Sequence, residues 1–239
     1  MARPLRLRID EKTFPPVADR PAQKVLADIE LTIAPGSFVV LTGPSGCGKS
    51  TLLNVLAGLD ESFTGSVDLG SDDPKLAFMF QTPRLLPWRT VEENIALVIE
   101  GAVPGDPRVA EIIGRVGLTE AANAYPERLS LGMQRRAALA RAFVLAPDIL
   151  LMDEPFVSLD DPTADSLRRL LIELWTRRPT TVLFVTHDRT EAVMLATRVV
   201  RVDGRPATVV QDEVIDLSVT DRANRERVLA VRARVFAEA

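Results

Sequence analysis

Thiols are nearly missing from this chain: among its 239 residues there is one cysteine, Cys47. A lone cysteine closes no internal disulfide and builds no cysteine-based metal cluster, which fits a reducing compartment. Basic charge is not in surplus either, since 29 Lys and Arg face 33 Asp and Glu for a net charge of -4. Such a balance supplies no field for gripping a polyanion, so a primary nucleic-acid binder is not expected. Long apolar runs are absent as well. The longest stretch without charge, residues 31–48, is broken by Pro35, Gly36, Gly43, Pro44 and Gly46, so no segment is expected to span a membrane. The first thirty residues hold no apolar core of a secretory signal. Lysine is rare, at positions 12, 24, 49 and 75 only, and His187 is the sole histidine. In an arginine-rich chain, each retained lysine invites a reason.

What remains is an ordinary globular composition, 46% hydrophobic and 26% charged, long enough for one large domain or a domain carrying an inserted lobe. Leu5-Arg6-Leu7-Arg8-Ile9 alternates apolar and polar residues, and residues 29–33 repeat the pattern before the turn at Ala34-Pro35-Gly36. These predict half-exposed antiparallel strands. Residues 38–41, 149–152 and 182–185 are continuous apolar runs, as strands buried on both faces of a parallel sheet require. A helix is expected from Lys49 to about Leu59. Strand signals vanish between about 91 and 146, which predicts a helical lobe inserted into an α/β core. The tail, about 222–237, places Val228, Val231, Val235 and Phe236 at helical spacing, an amphipathic helix packed on its own domain. The whole of 1–239 is read as one domain with lobes.

Gly43-Pro44-Ser45-Gly46-Cys47-Gly48-Lys49-Ser50 fits G-x-x-x-x-G-K-[ST], directly after a buried strand and before a helix. Glycines let backbone N–H groups turn inward around phosphates, the helix N-terminus adds its positive end, and Lys49 supplies a mobile charge. Ser50 is then placed on Mg²⁺, with Thr51 beside it in the nucleotide site. Hydrolysis of a nucleoside triphosphate also needs a carboxylate toward the metal and a group orienting the attacking water. Ile149-Leu150-Leu151-Met152-Asp153-Glu154 ends an apolar strand in both: Asp153 for the metal and Glu154 for the water. His187 closes the strand before it in the same manner and is read as a γ-phosphate contact.

Leu129-Ser130-Leu131-Gly132-Met133-Gln134-Arg135-Arg136 resembles the signature motif of ATP-binding cassette proteins, the ATPase subunits of ABC transporters. Gln81 resembles the Q-loop glutamine, also a metal contact, Ser158-Leu159-Asp160 the D-loop, and Thr186-His187-Asp188 the switch histidine. On residues alone, Ser130 caps a helix running to about Ala146 whose Met133, Ala137, Ala140 and Val144 form a buried face. The resemblance implies a P-loop NTPase fold, α/β, with an N-terminal antiparallel β lobe and a helical lobe. It also implies ATP and Mg²⁺ as cofactors and two cassettes packed head to tail. Ser130, Gly132 and Asp160 of one would then reach ATP held by the phosphate loop of the other. Phe14 stands where the family has an aromatic stacking on adenine. Leu131 departs from the pattern, replacing the first glycine of the signature.

Gln81-Thr82-Pro83-Arg84-Leu85-Leu86-Pro87-Trp88 is similar to importer ATPases of the nitrate, sulfonate and taurine group. That likeness implies membrane permease subunits contacting this loop, an extracytoplasmic solute-binding protein, and a peripheral place on the cytoplasmic face of the membrane. An exporter or lipid-transporter ATPase is the alternative. An ABC-type ATPase acting on nucleic acid is a weaker one, because the stretch from Lys49 to Ser130, 81 positions later, contains no sustained heptads.

Overall fold

The computed structural model describes residues 3–16, 18, 21–222 and 224–237. In chain order its elements are β1 (Leu5–Phe14), β2 (Gln23–Ile33), β3 (Phe38–Thr42), α1 (Lys49–Leu56), β4 (Thr64–Asp68), β5 (Leu76–Met79), α2 (Val91–Ala96), α3 (Pro107–Arg115), α4 (Leu131–Phe143), β6 (Ile149–Asp153), α5 (Asp161–Arg177), β7 (Thr181–Val185), α6 (Arg189–Leu195), β8 (Arg198–Gly204), β9 (Ala207–Val214), α7 (Val219–Arg222) and α8 (Arg225–Val235). They form two compact units, Met1–Pro74 with Thr180–Ala239, and Lys75–Pro179.

In the first unit the strands lie in the order β4-β1-β2-β9-β8-β3-β7. The alternating segments are antiparallel neighbours, Leu5 opposite Ile33 and Ile9 opposite Ile29. Their odd-numbered apolar residues are buried while Arg6 and Arg8 face water. The apolar run of β3 is buried along its whole length and sits between two parallel neighbours, β7 and β8. Strand β8 then turns back into β9 as an antiparallel hairpin, a pair whose mixed composition carried no clear signal. Helix α1 stops at Leu56, three residues short of expectation, because Ala57 caps it and Gly58 adopts φ 66. A left-handed glycine just past a helix end is the usual stop.

The tail helix begins at Arg225, capped by Asn224, and buries Val228, Val235 and Phe236, while Val231 of the expected apolar set is half-buried. Ala223, inside the expected span, lies outside the described residues. Arg222 donates to the carbonyls of Met194 and Ala196 at the end of α6, and the Arg189 guanidinium lies 5.4 Å from the Phe236 ring. The tail is thereby held to both ends of α6.

In the second unit β5 and β6 pair in parallel, Met79 opposite Met152. Between them in sequence run α2, α3 and α4, the expected helical lobe. Thr90 and Glu93 form a reciprocal capping box at α2, which satisfies two otherwise orphaned N–H groups. The expectation of a single apolar face on α4 needs correction. Met133 and Val144 are only half-buried, whereas Gly132, Arg135, Ala137, Ala138, Leu139, Ala140 and Ala142 are buried. Small alanines let the helix be enclosed around most of its circumference. It also ends at Phe143 rather than Ala146, which adopts φ 49.

Candidate functional site

Within the first unit the phosphate loop is shaped by its glycines. A Cβ on Gly43 would stand 2.1 Å from the Val202 carbonyl oxygen, and one on Gly48, at φ 108, would stand 2.8 Å from side-chain atoms of Val25 and Leu26. Glycine is required at both positions, by close backbone approach at one and by packing and conformation at the other. Gly46, at φ 76, has open space where its Cβ would be. The loop thus packs tightly underneath and is unobstructed at its crest, formed by exposed Pro44, Ser45 and Gly46.

Lys49 opens α1 and is buried, its ammonium donating to the carbonyls of Gly43 at 2.9 Å and Pro44 at 2.8 Å. The charge is therefore folded into the loop itself. Cys47 is buried, its sulfur 3.9 Å from that ammonium, and acts as a small packing residue of the loop. No acidic side chain occupies the first turn of α1, so nothing on the helix offsets its positive end. Ser50, in the same turn, is exposed and Thr51 half-buried.

His187 leaves β7 beside this loop. Strands β3 and β7 are parallel neighbours with Leu41 opposite Val185, and the Thr186 N–H donates to the Leu41 carbonyl. The two chains consequently depart together, one into Gly43 and the other into exposed His187. Asp188 accepts the N–H groups of Thr190 and Glu191 and caps α6. Phe14, at the end of β1, keeps 40% of its surface exposed.

Within the second unit a matching pair departs from β5 and β6. The register of Met79 with Met152 carries one chain into Phe80-Gln81 and the other into Asp153-Glu154. Gln81 is exposed, while Asp153 and Glu154 are half-buried. Glu154 adopts φ 43, a conformation costly for a residue with a side chain and one that concentrates at functional positions.

Ser130 caps α4, accepting the Met133 N–H at 3.3 Å. Leu131 is the first helical residue, 38% exposed, so its backbone asks nothing that leucine cannot give. Gly132 is different: a Cβ there would stand 2.6 Å from Thr163 Cγ2 on α5. Asp160 caps α5 by accepting the Thr163 N–H, and hydrogen bonding to Thr163 holds its carboxyl below the ordinary aspartate range. The second signature glycine and the D-loop aspartate thus meet at one residue, Thr163.

Sequence reading missed the residues that hold the Gln81 loop. Phe78 and Phe80 stack at 4.1 Å, and the Arg84 guanidinium lies 3.5 Å from the Phe80 ring. Arg141 donates to the carbonyls of Pro83 and Arg84, and Arg135 to that of Phe80. Burial lowers both guanidinium pKa values from the ordinary arginine range. Fully buried Asn94 accepts from the Leu86 N–H and donates to the carbonyls of Leu86, Arg89 and Thr90. A polar residue buried in a helix was the available signal, but its partners are loop carbonyls that no pattern reveals. Trp88, one step beyond, is 69% exposed.

The family model described as ABC transporter matches residues 26–157, spanning the phosphate loop, the signature and the acidic pair. The chain belongs to the ABC transporter family. Over 236 residues it is 42% identical to the aliphatic sulfonates import ATP-binding protein SsuB 1 of Pseudomonas savastanoi pv. phaseolicola, covering 98% of this chain and 94% of that protein. It is 40% identical to SsuB of Bacillus subtilis, covering 97% of this chain and 92% of that one. Among solved structures it is similar to MJ0796, a dimeric ATP-binding cassette captured after hydrolysis with ADP and Pi. The TM-score is 0.76 at 30% identity, over 90% of this chain and all of that one. As an ABC transporter cassette the chain has the P-loop α/β fold with its β and helical lobes, and it binds and hydrolyses ATP for transport through a permease. Among the described residues, no helix of this cassette is long and apolar enough to cross a membrane.

Proposed function

We propose that this cassette powers bacterial uptake of an aliphatic sulfonate or a closely related small anion, as two copies packed head to tail on the cytoplasmic face of a permease fed by an extracytoplasmic solute-binding protein. The observation carrying the solute class is the near-full-length similarity to sulfonate import ATPases at about two residues in five. Deleting the gene should abolish growth on an aliphatic sulfonate as sole sulfur source and uptake of the labelled compound. Unimpaired sulfonate uptake with lost nitrate or taurine uptake would move the solute class.

In this reading Gly43 to Thr51 cradle the phosphates, Phe14 stacks on adenine, and Lys49 balances the terminal phosphates. Glu154 takes the proton of the attacking water, while His187 and Gln81 orient the γ-phosphate and that water. Ser50, Gln81 and Asp153 would hold Mg²⁺. Among the described residues no three acids, cysteines or histidines gather into a metal cage. A donor set of one hydroxyl, one amide and one carboxylate suits Mg²⁺, which keeps waters and takes phosphate oxygens. When bound, the metal would neutralise charge on the transferred phosphoryl group.

Ser130, Gly132 and Asp160 are assigned to the ATP of the partner cassette. Ser130→Ala removes both that contact and a helix cap, the latter costing about 1 kcal/mol. ATPase of the purified chain should therefore collapse with Ser130→Ala, while Leu131→Gly leaves it level or raises it. A wild type inactive alone and rescued only by a second kind of cassette would show that the pair is not a homodimer.

Exposed Trp88, on a loop whose backbone Asn94 locks, is assigned to the permease. Trp88→Asp should cut recovery of the cassette with its membrane subunit in a pull-down by at least about tenfold, because an unpaired charge is costly to desolvate in an interface, while ATP binding by the purified chain persists. Equal recovery would return this loop to a purely structural role.

A further inference from the structure

Lys12 is the most deeply buried cation among the described residues, 2% exposed, and the nucleotide chemistry above does not use it. The alternation of β1 would place it outward with Arg6 and Arg8. It points inward because the pairing with β4 skips a residue, with Ile9 opposite Gly65 and Glu11 opposite Thr64. A bulge of this kind re-aims the side chains that follow it. Burying an ammonium is costly unless it is paired and hydrogen-bonded, and here both conditions are met: Nζ donates to Asp60 at 2.6 Å and to the Ser62 carbonyl at 2.8 Å.

Two further contacts give the pair a direction. The ammonium lies 4.6 Å from the centre of the Phe14 ring, within cation–π range, although Phe14 remains 40% exposed. Asp60 follows α1, its N–H bonded to the Asn54 carbonyl of that helix, and α1 begins at the phosphate loop. Leu26, opposite Lys12 in β2, is one of the two residues against which Gly48 packs. Lys12 therefore touches the aromatic platform and is anchored to the frame of the phosphate loop.

We propose that Lys12, braced by Asp60, is a positioning residue for the nucleotide base: it seats the Phe14 ring from beneath and fixes its place relative to the phosphate loop, so that adenine stacks on the exposed surface. This rests on Phe14 being the adenine platform. A stacking aromatic held in advance loses less freedom when the base arrives, and a cation under the ring strengthens its hold without occupying the surface offered to the base.

The test compares ATP with inorganic tripolyphosphate, which has phosphates but no base, by calorimetric titration of the full chain. Lys12→Met should weaken ATP binding about fivefold, the scale of one partly buried cation–π contact, and tripolyphosphate binding by less than about twofold. Added to Phe14→Ala, the same change should cost ATP nothing further, since the two would act through one contact. Lys12→Arg, keeping the charge, should recover part of the loss. Should Lys12→Met fail to fold, Asp60→Asn loosens the brace and must shift the ATP to tripolyphosphate ratio in the same direction. Equal weakening of both ligands would make Lys12 a fold-supporting residue only and overturn the proposal. A Phe14→Ala variant with an unchanged ratio would remove the adenine platform itself. A ratio that falls with Phe14→Ala but not with Lys12→Met or Asp60→Asn would sink the role of Lys12 alone.

Discussion

Lys49→Ala is expected to lower ATP affinity by at least about a hundredfold and to leave ATPase activity at background. The ammonium is buried at the base of the loop and donates to the carbonyls of Gly43 and Pro44. Its removal deletes the loop's only positive side chain and leaves both carbonyl oxygens without that donor. Charge-assisted hydrogen bonds contribute about 1.5–3 kcal/mol each, so losing two toward phosphate exceeds a factor of a hundred. Arginine is not an adequate substitute, because its planar fork does not reproduce a compact ammonium between two carbonyls. Fluorescence titration with ATP measures the loss. Affinity within tenfold of wild type would contradict the placement of the terminal phosphates at this loop.

The second large effect separates binding from chemistry. Glu154→Gln should bind ATP as tightly as wild type and hydrolyse it at least about a hundredfold more slowly, the lower end of what one general base contributes. The amide keeps the shape of the carboxylate and tolerates φ 43 about as well, but it cannot take a proton. With hydrolysis stopped, the ATP-bound pair should accumulate, so light scattering coupled to size exclusion should show a dimer with ATP and a monomer without. A variant that remains monomeric at saturating ATP would count against head-to-tail pairing. Hydrolysis at the wild-type rate would move the proton acceptor elsewhere.

The phosphate loop was legible because its chemistry is contiguous. Gly43, Gly48 and Lys49 lie within eight residues, and the strand before and helix after are patterned strongly enough to place the loop. The placement of Asp153, Glu154 and His187 at the ends of apolar strands was legible for a related reason, since an apolar strand ending in a polar residue carries that residue to a sheet edge. The register of β3 with β7 and of β5 with β6 then set which of these departures are neighbours. The extent of α4 burial was not legible, because alanines and a buried Arg135 carry no hydrophobic stripe. The clamp on the Gln81 loop was not legible either: Arg141 and Asn94 act on backbone carbonyls, which have no sequence identity.

By itself the sequence determined the family, its ATP chemistry, the alternating and buried strands that flank the motifs, and the helical lobe, because those depend on short motifs and local periodicity. Only the tertiary structure decided which way Lys12 points and that Gly132 is confined by Thr163. Each of these depends on a bulge or a close approach created by residues that are neighbours in space. Lys12 is the sharpest case: β1 alternation places it in water, and pairing with a strand more than fifty residues away turns it inward onto Asp60 and Phe14.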